Sequence, residues 1–319
     1  MSQVISQSKG NLFQRAVAAL GQAGISNKKL VKSLIGIASH SPGYEALVRK
    51  QVNSFQFDLN LDEFVQQQMY YLGAYDHKGV SLITQIARNV NCQTALDIGA
   101  NIGNHAVFLG DHCAELYCFE PNDSPRNVFE GALQRAGKTN IHLLDYGLAE
   151  SNETLKFFEL ASNLGASSFV FDEKNAGDYV EKQLKIRHGD EVVTELGITD
   201  IDFIKIDVEG FEKEVLTGLQ ATIAVQQPVI DFEYHADTRE KFGSMAALQA
   251  VLPGYTLYGA RRAIKAIDEY RNLYGHGSLL KSALTTRKAL LPFHFEQKYA
   301  HVVAVPQRFP QLIYTLESD

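Results

Sequence analysis

The chain has no Lys/Arg run longer than two residues, no CxxC, no internal repeat and no low-complexity tract. Each absence excludes something. A protein built to grip nucleic acid needs clustered cations facing phosphates, whereas the formal net charge here is −7, so no nucleic-acid partner is expected. Cys92, Cys113 and Cys118 are odd in number and wrongly spaced for a metal knuckle. They predict small buried thiols in a reducing compartment. The opening MSQVISQSKGNLFQ lacks the apolar centre of a secretion signal, and no apolar run reaches membrane-spanning length. The expectation is a soluble, cytoplasmic protein without a transmembrane segment. What is present is 319 residues with 45% hydrophobic content, enough for one large domain or two modest ones.

Two textures divide the chain. Up to about residue 75 the apolar residues follow helical spacing: Phe13, Val17 and Leu20, then Leu30, Leu34 and Ile37, before the breaker His40-Ser41-Pro42-Gly43. Residues 1–78 are read as a helical N-terminal domain or cap. Its first amphipathic helix is expected to pack on its own domain rather than a membrane, because it lacks a basic face. From about residue 79 helices and strands alternate. Helix Ser81 to Asn89 precedes strand Thr94 to Ile98; a short helix at Ala106 to Leu109 precedes strand Glu115 to Glu120. Pro121 to Pro125 opens a helix ending near Gly137, and strand Ile141 to Leu144 follows. Further strands are expected at Ile201 to Val208 and Val229 to Tyr234, around one helix from Phe211 to Ala224, with Tyr255 to Tyr258 and His301 to Val305 as an antiparallel edge. This order predicts an α/β fold, a doubly wound, mostly parallel Rossmann-like sheet over residues 79–319. Insertions are expected at about 162–199 and 261–298.

The stretch ALDIGANIGNH, Ala95 to His105, carries an aspartate and two glycines at the end of the first strand, without GxGxxG. In such sheets ligands bind at the carboxyl ends of strands, where the winding reverses. Asp97 stands two residues before Gly99, and Asn101 occupies the place of a middle glycine. A carboxylate there would repel a pyrophosphate, but it suits the sulfonium and ammonium of S-adenosylmethionine. Glu120 ends the next strand and suits ribose hydroxyls. Asp145-Tyr146-Gly147 lies where an adenine edge would arrive.

ALDIGANIGNH, CFEPND and DFIKIDVEGFEKEVLTGL, in that order, resemble the FkbM-type family of S-adenosylmethionine-dependent methyltransferases. Asn163 to Ser168 is similar to the family's central Gly/Ser stretch, and Ala304-Val305-Pro306 to its closing strand. The likeness covers about 85–260 and resumes near 300. It implies methyl transfer mostly to oxygen, often on sugars, glycolipid or polysaccharide units, or polyketide-like metabolites. The cofactor-binding set expected is Asp97, Gly99, Ala100, Asn101, Gly103, Asn104, Glu120, Pro121, Asn122, Asp145 and Tyr146.

An alcohol acceptor must lose a proton, which asks for a base or a metal. Lys205, Asp207 and Glu209 share one face of their strand, as do Asp231, Glu233 and His235 on the next. Lys205 can neutralise one carboxylate, leaving a surplus. His235 is the expected base, oriented by Glu233 or Asp207. Asp207, Glu209, Glu233 and His235 could alternatively hold a divalent cation. His105 reads as structural. Ser167 and Ser168 could bind a polyol, Arg261, Arg262 and Lys265 an anionic acceptor, and Tyr270 to His276 a sugar. The rival functions are an NAD-dependent oxidoreductase, an RNA methyltransferase, and a methyltransferase-like binding or scaffold module without turnover.

Overall fold

The computed structural model describes residues 8–23, 28–160, 179–260, 290–309 and 312. Helix α1 (Leu12–Gln22) starts with a capping box, in which Asn11 Oδ1 accepts from the Gln14 N–H and Gln14 Oε1 accepts from the Asn11 N–H. It buries Gln14, Val17 and Ala18, and α2 (Lys28–Ser39) packs on it. The next stretch departs from the helical expectation. Strands β1 (Leu47–Val52) and β2 (Phe55–Asn60) pair as an antiparallel hairpin. Phe55, Phe57 and Leu59 are buried while Gln56 between them is exposed; a spacing of two can bury all three only in a strand. Helix α3 (Phe64–Leu72) ends at the left-handed Gly73. Helix α4 (His77–Asn89) buries Val80, Ile83, Ile86 and Ala87 on one face.

The alternating region follows the predicted order: β3 (Thr94–Ile98), α5 (Ala106–Leu109), β4 (Glu115–Phe119), α6 (Asp123–Ala136) and β5 (Ile141–Leu144). Helix α6 has Asn122 as its N-cap and the left-handed Gly137 at its end. Strands β6 (Gly147–Ala149), β7 (Glu153–Leu160) and β8 (Tyr179–His188) form a separate small sheet ordered β6-β8-β7, and α7 (Gly189–Glu195) follows. The latter part of the expected 162–199 insertion is therefore regular structure. After β9 (Ile201–Ile206), the single predicted helix is two, α8 (Glu212–Gly218) and α9 (Gln220–Gln226). Gly218 is pressed so closely on the carbonyl of Ala149 that a side chain there would overlap it. Strand β10 (Val229–Glu233), α10 (Ala236–Phe242), α11 (Met245–Val251), β11 (Tyr255–Ala260), β12 (Leu290–Pro292) and β13 (His301–Pro306) complete the described elements.

The main sheet has the order β12-β11-β13-β10-β9-β3-β4-β5. Strands β5, β4, β3, β9 and β10 run parallel, and β13, β11 and β12 form an antiparallel edge. Winding reverses between β3 and β9. One sheet face shares an apolar cluster with the N-terminal elements, Ala95 and Phe129 clustering with Val17, Phe55 and Leu59. The other carries Leu96, Ile204 and Ile230 with Val215 and Leu248. The three cysteines are buried and unbridged. Among the described residues no helix is long and apolar enough to cross a membrane.

Candidate active site

The register of three parallel strands sets the electrostatics. Asp97 on β3, Lys205 on β9 and Asp231 on β10 are direct neighbours across the sheet. All three are buried, Lys205 only 1% exposed. Lys205 Nζ lies 3.0 Å from Asp97 Oδ1 and 3.6 Å from Asp207 Oδ2. Burial pulls the ammonium down, but Asp97 and Asp207 outweigh it and raise its pKa. Asp97 is itself pushed up, first by burial and against the pull of Lys205. Its second oxygen, Oδ2, is buried with no hydrogen-bond partner. That oxygen is where a cationic group could be received.

The loop after β3 is built for close approach. The Gly99 and Ala100 N–H groups both donate to the carbonyl of Phe119. Gly99 has φ +82, and a Cβ there would overlap the carbonyl of Asp207. Asn101 is left-handed with φ 52 and its N–H donates to Glu120 Oε2 at 2.8 Å. The Asn122 N–H donates to Glu120 Oε1 at 2.8 Å. Burial pushes Glu120 up to about 7, opposed by these two N–H bonds. Each oxygen keeps a second lone pair for a hydroxyl donor. At Gly103 a side chain would run into the Phe129 ring.

Several of the expected cofactor residues also have partners within the protein. Asn104 Oδ1 accepts from the Tyr75 N–H at 2.8 Å and its Nδ2 donates to the Tyr75 carbonyl at 2.9 Å, clasping the N-terminal segment to the loop. Asn122 caps α6 and donates to Glu159 Oε2. The Tyr146 ring is buried beside Phe119, with the Lys185 ammonium and Arg187 guanidinium over it, while Asp145 is exposed. The Pro121 ring lies against Gly147.

At the ends of β9 and β10 the structure brings Asp207, Glu233 and His235 together. His235 Nε2 is 2.5 Å from Glu233 Oε1, and Glu233 lies beside Asp207. Burial pushes Asp207 up, but Lys205, His105 and His301 bring it below the usual carboxylate range. Glu209 sits on a left-handed backbone with φ 53 and is raised to about 8, by desolvation first and then by Asp207, Glu233 and Glu212. Its side chain reaches solvent, so repulsion by those carboxylates is the firmer cause. The divalent-cation reading of this cluster finds no support: among the described residues no three carboxylate, imidazole or thiol groups converge as metal ligands. Asp207 is turned to Lys205 and Glu233 to His235. Arg261, Arg262, Lys265 and Tyr270 to His276, like Ser167 and Ser168, lie outside the described residues.

Two contributors, His301 and Asp76, were not foreseen. His301 at the start of β13 places Nδ1 3.4 Å from Asp231 Oδ2 and Nε2 3.8 Å from Asp76 Oδ2. Burial would lower its pKa, yet Asp231, Asp76 and Asp207 raise it well above the ordinary imidazole value. Burial likewise opposes ionisation of Asp76, and His301 overrides it, holding the carboxyl at about 2. His105 is buried nearby and, by burial and then Lys205, lowered to about 3. Asp231 was legible through its alternation with Glu233 and His235; His301 and Asp76 lie far away in sequence and carry no local signal.

Residues 97–275 match the family model described as the methyltransferase FkbM domain. Hexuronic acid methyltransferase AglP of Haloferax volcanii is 31% identical over 46% of this chain and 57% of its own. AMB antimetabolite synthetase AmbE of Pseudomonas aeruginosa is 24% identical over 56% of this chain and 10% of its own. The chain thus spans about a tenth and about half the length of these curated relatives. Similar solved structures include a methyltransferase FkbM from Methylobacillus flagellatus KT (15% identity, TM-score 0.41, 76% of this chain and 54% of that one). Another is M. jannaschii TYW2 in complex with AdoMet (11% identity, TM-score 0.40, 83% and 86%). With more than half of its 319 residues matched by the family model, the chain belongs to the FkbM family of methyltransferases.

Proposed function

We propose that the protein uses S-adenosylmethionine to methylate a hydroxyl oxygen on a sugar, glycoconjugate or other polar acceptor. The observation that carries this reading is the surplus of carboxylates at the switch point. Asp76, Asp97, Asp207 and Asp231 face two cationic partners, Lys205 and His301, and Asp97 keeps a buried oxygen without a partner. Such a site favours a cationic ligand over a phosphate. When bound, the cofactor would supply an electrophilic methyl on a sulfonium. Asp97 would hold its cationic end and Glu120 its ribose hydroxyls, on a loop that the Gly99 turn seats against the Asp207 carbonyl. The His235–Glu233 pair would accept the proton of the acceptor hydroxyl, while the methyl group leaves sulfur for oxygen and the thioether product departs, and alignment would supply much of the rate.

Titration calorimetry with S-adenosylhomocysteine tests the binding half. The wild type should bind, and Asp97→Ala should bind at least about tenfold more weakly; no heat with the wild type ends the proposal. Incubation with labelled cofactor and glycan fractions tests the acceptor. There His235→Ala should lower kcat roughly 100-fold or more and leave S-adenosylhomocysteine affinity unchanged. The glycan class is supported by the resemblance to a hexuronic acid methyltransferase over part of its length.

A further inference from the structure

Helix α1 shows mostly apolar side chains on its exposed side, with Arg15 among them. Val17 and Ala18 face inward. Leu12 is 80% exposed, Phe13 39% and Leu20 43%, with Ala16 and Ala19 exposed among them. Leu12, Ala16 and Leu20 form one stripe, each four residues from the next. A surface helix in water ordinarily turns a polar face outward. In the neighbouring α2, Ile37 is 57% exposed and Lys32 is exposed as well. Six of the eleven exposed large apolar side chains among the described residues fall within residues 12–47, so the exposure is concentrated rather than scattered.

Charge follows the same boundary. Residues 1–47 hold five Lys/Arg against one Asp/Glu, a net +4. The remaining residues hold 25 against 36, a net −11. The sequence reading expects α1 to pack on its own domain rather than on a membrane, for want of a basic face; α1 itself carries one cation, the exposed Arg15, and α2 adds the exposed Lys32. The surface is also firmly held. Gln14 Nε2 donates to the Glu45 carbonyl at 2.9 Å, and Asn11 Nδ2 donates to the Gly43 carbonyl at 3.0 Å.

We infer that the α1–α2 surface docks on an anionic lipid bilayer, its leucine, phenylalanine and isoleucine side chains entering the acyl boundary and Arg15 and Lys32 meeting the headgroups. A second copy of the chain suits the surface poorly, because a two-fold contact would set two positive patches face to face. Nucleic acid would leave Leu12 and Ile37 in water. The placement goes beyond the methyl-transfer chemistry and stands independently of it.

Flotation of the full chain with vesicles tests the inference. Binding is expected to vesicles containing about a third phosphatidylglycerol, and to be about tenfold weaker to phosphatidylcholine alone or in high salt. The Leu12→Glu/Ile37→Glu variant and the Arg15→Glu/Lys32→Glu variant should each lose at least about tenfold in partitioning. Circular dichroism and the melting midpoint confirm that both remain folded. The inference is overturned if the wild type fails to float with anionic vesicles, or if both folded variants float as well as it does. It is equally overturned if the substitutions instead break a wild-type oligomer seen by light scattering, or if the protein binds RNA in preference to the vesicles.

Discussion

A buried ammonium among carboxylates is expensive to disturb from one side only. Removing the Lys205 side chain leaves Asp97 charged, dry and unpaired. Lys205→Ala should therefore destabilise the protein by about 3–5 kcal/mol in urea unfolding. The Asp97→Asn/Lys205→Met double variant should cost clearly less than the two single costs added, because the charges vanish together. Additive costs would mean that the pair at 3.0 Å contributes no coupling. His301 gives a pH-dependent counterpart. Its pKa is raised in the folded state, so its contribution is complete below the ordinary imidazole value of about 6.5 and fades as pH rises through the folded value. At the acid end Asp76, held at about 2, loses its share as pH falls from the ordinary 3.8. His301→Gln should consequently lower the melting midpoint most between about pH 4 and 6.5, with the gap to wild type narrowing by pH 9.5. A gap equal at pH 5.5 and pH 9.5 contradicts this assignment.

At the scale of elements, Gly99 joins backbone and site. Gly99→Ala must force a left-handed φ on a side chain and push it into the Asp207 carbonyl. A loss of about 2–4 kcal/mol is expected by calorimetric melting, together with the loss of S-adenosylhomocysteine binding. The elements around this turn were legible in the sequence because each has its own local signal. Strand β3 is an apolar run ending in Asp97, and α6 announces itself by Asn122, Pro125 and Gly137. The β1–β2 hairpin was missed although Phe55, Phe57 and Leu59 alternate cleanly, because one short strand among helical patterns is weak testimony. The break between α8 and α9 was not legible at all. It depends on Gly218 meeting β6, a contact that no run of neighbouring residues encodes. The same limit applies to the site: Asp207, Glu233 and His235 were foreseen from alternation on adjacent strands, whereas His301 and Asp76 meet only after folding.

In the whole molecule the N-terminal elements are bonded into the sheet's surroundings. Asn53 Nδ2 donates to the Val107 carbonyl at 2.7 Å, and Arg135 pairs with Asp58 at 3.0 Å and donates to the Gln56 carbonyl. Strand β2 packs on α6. Deleting residues 1–60 should strip apolar cover from α6, and the shortened chain is expected to bind a hydrophobic dye and lose near-ultraviolet dichroism. Retention of sharp dichroism and a cooperative melt would show that the remainder folds by itself.

The clasp between Asn104 and the Tyr75 peptide has a thermodynamic corollary. Two bonds fix a segment leading back through α3 to α1 onto the turn proposed to receive the methyl donor. Through that connection, occupancy at one end should alter avidity at the other, and the free-energy cycle then admits a single coupling factor. Homocysteine-product affinity measured with and without vesicles, and vesicle affinity measured with and without product, should return the same ratio.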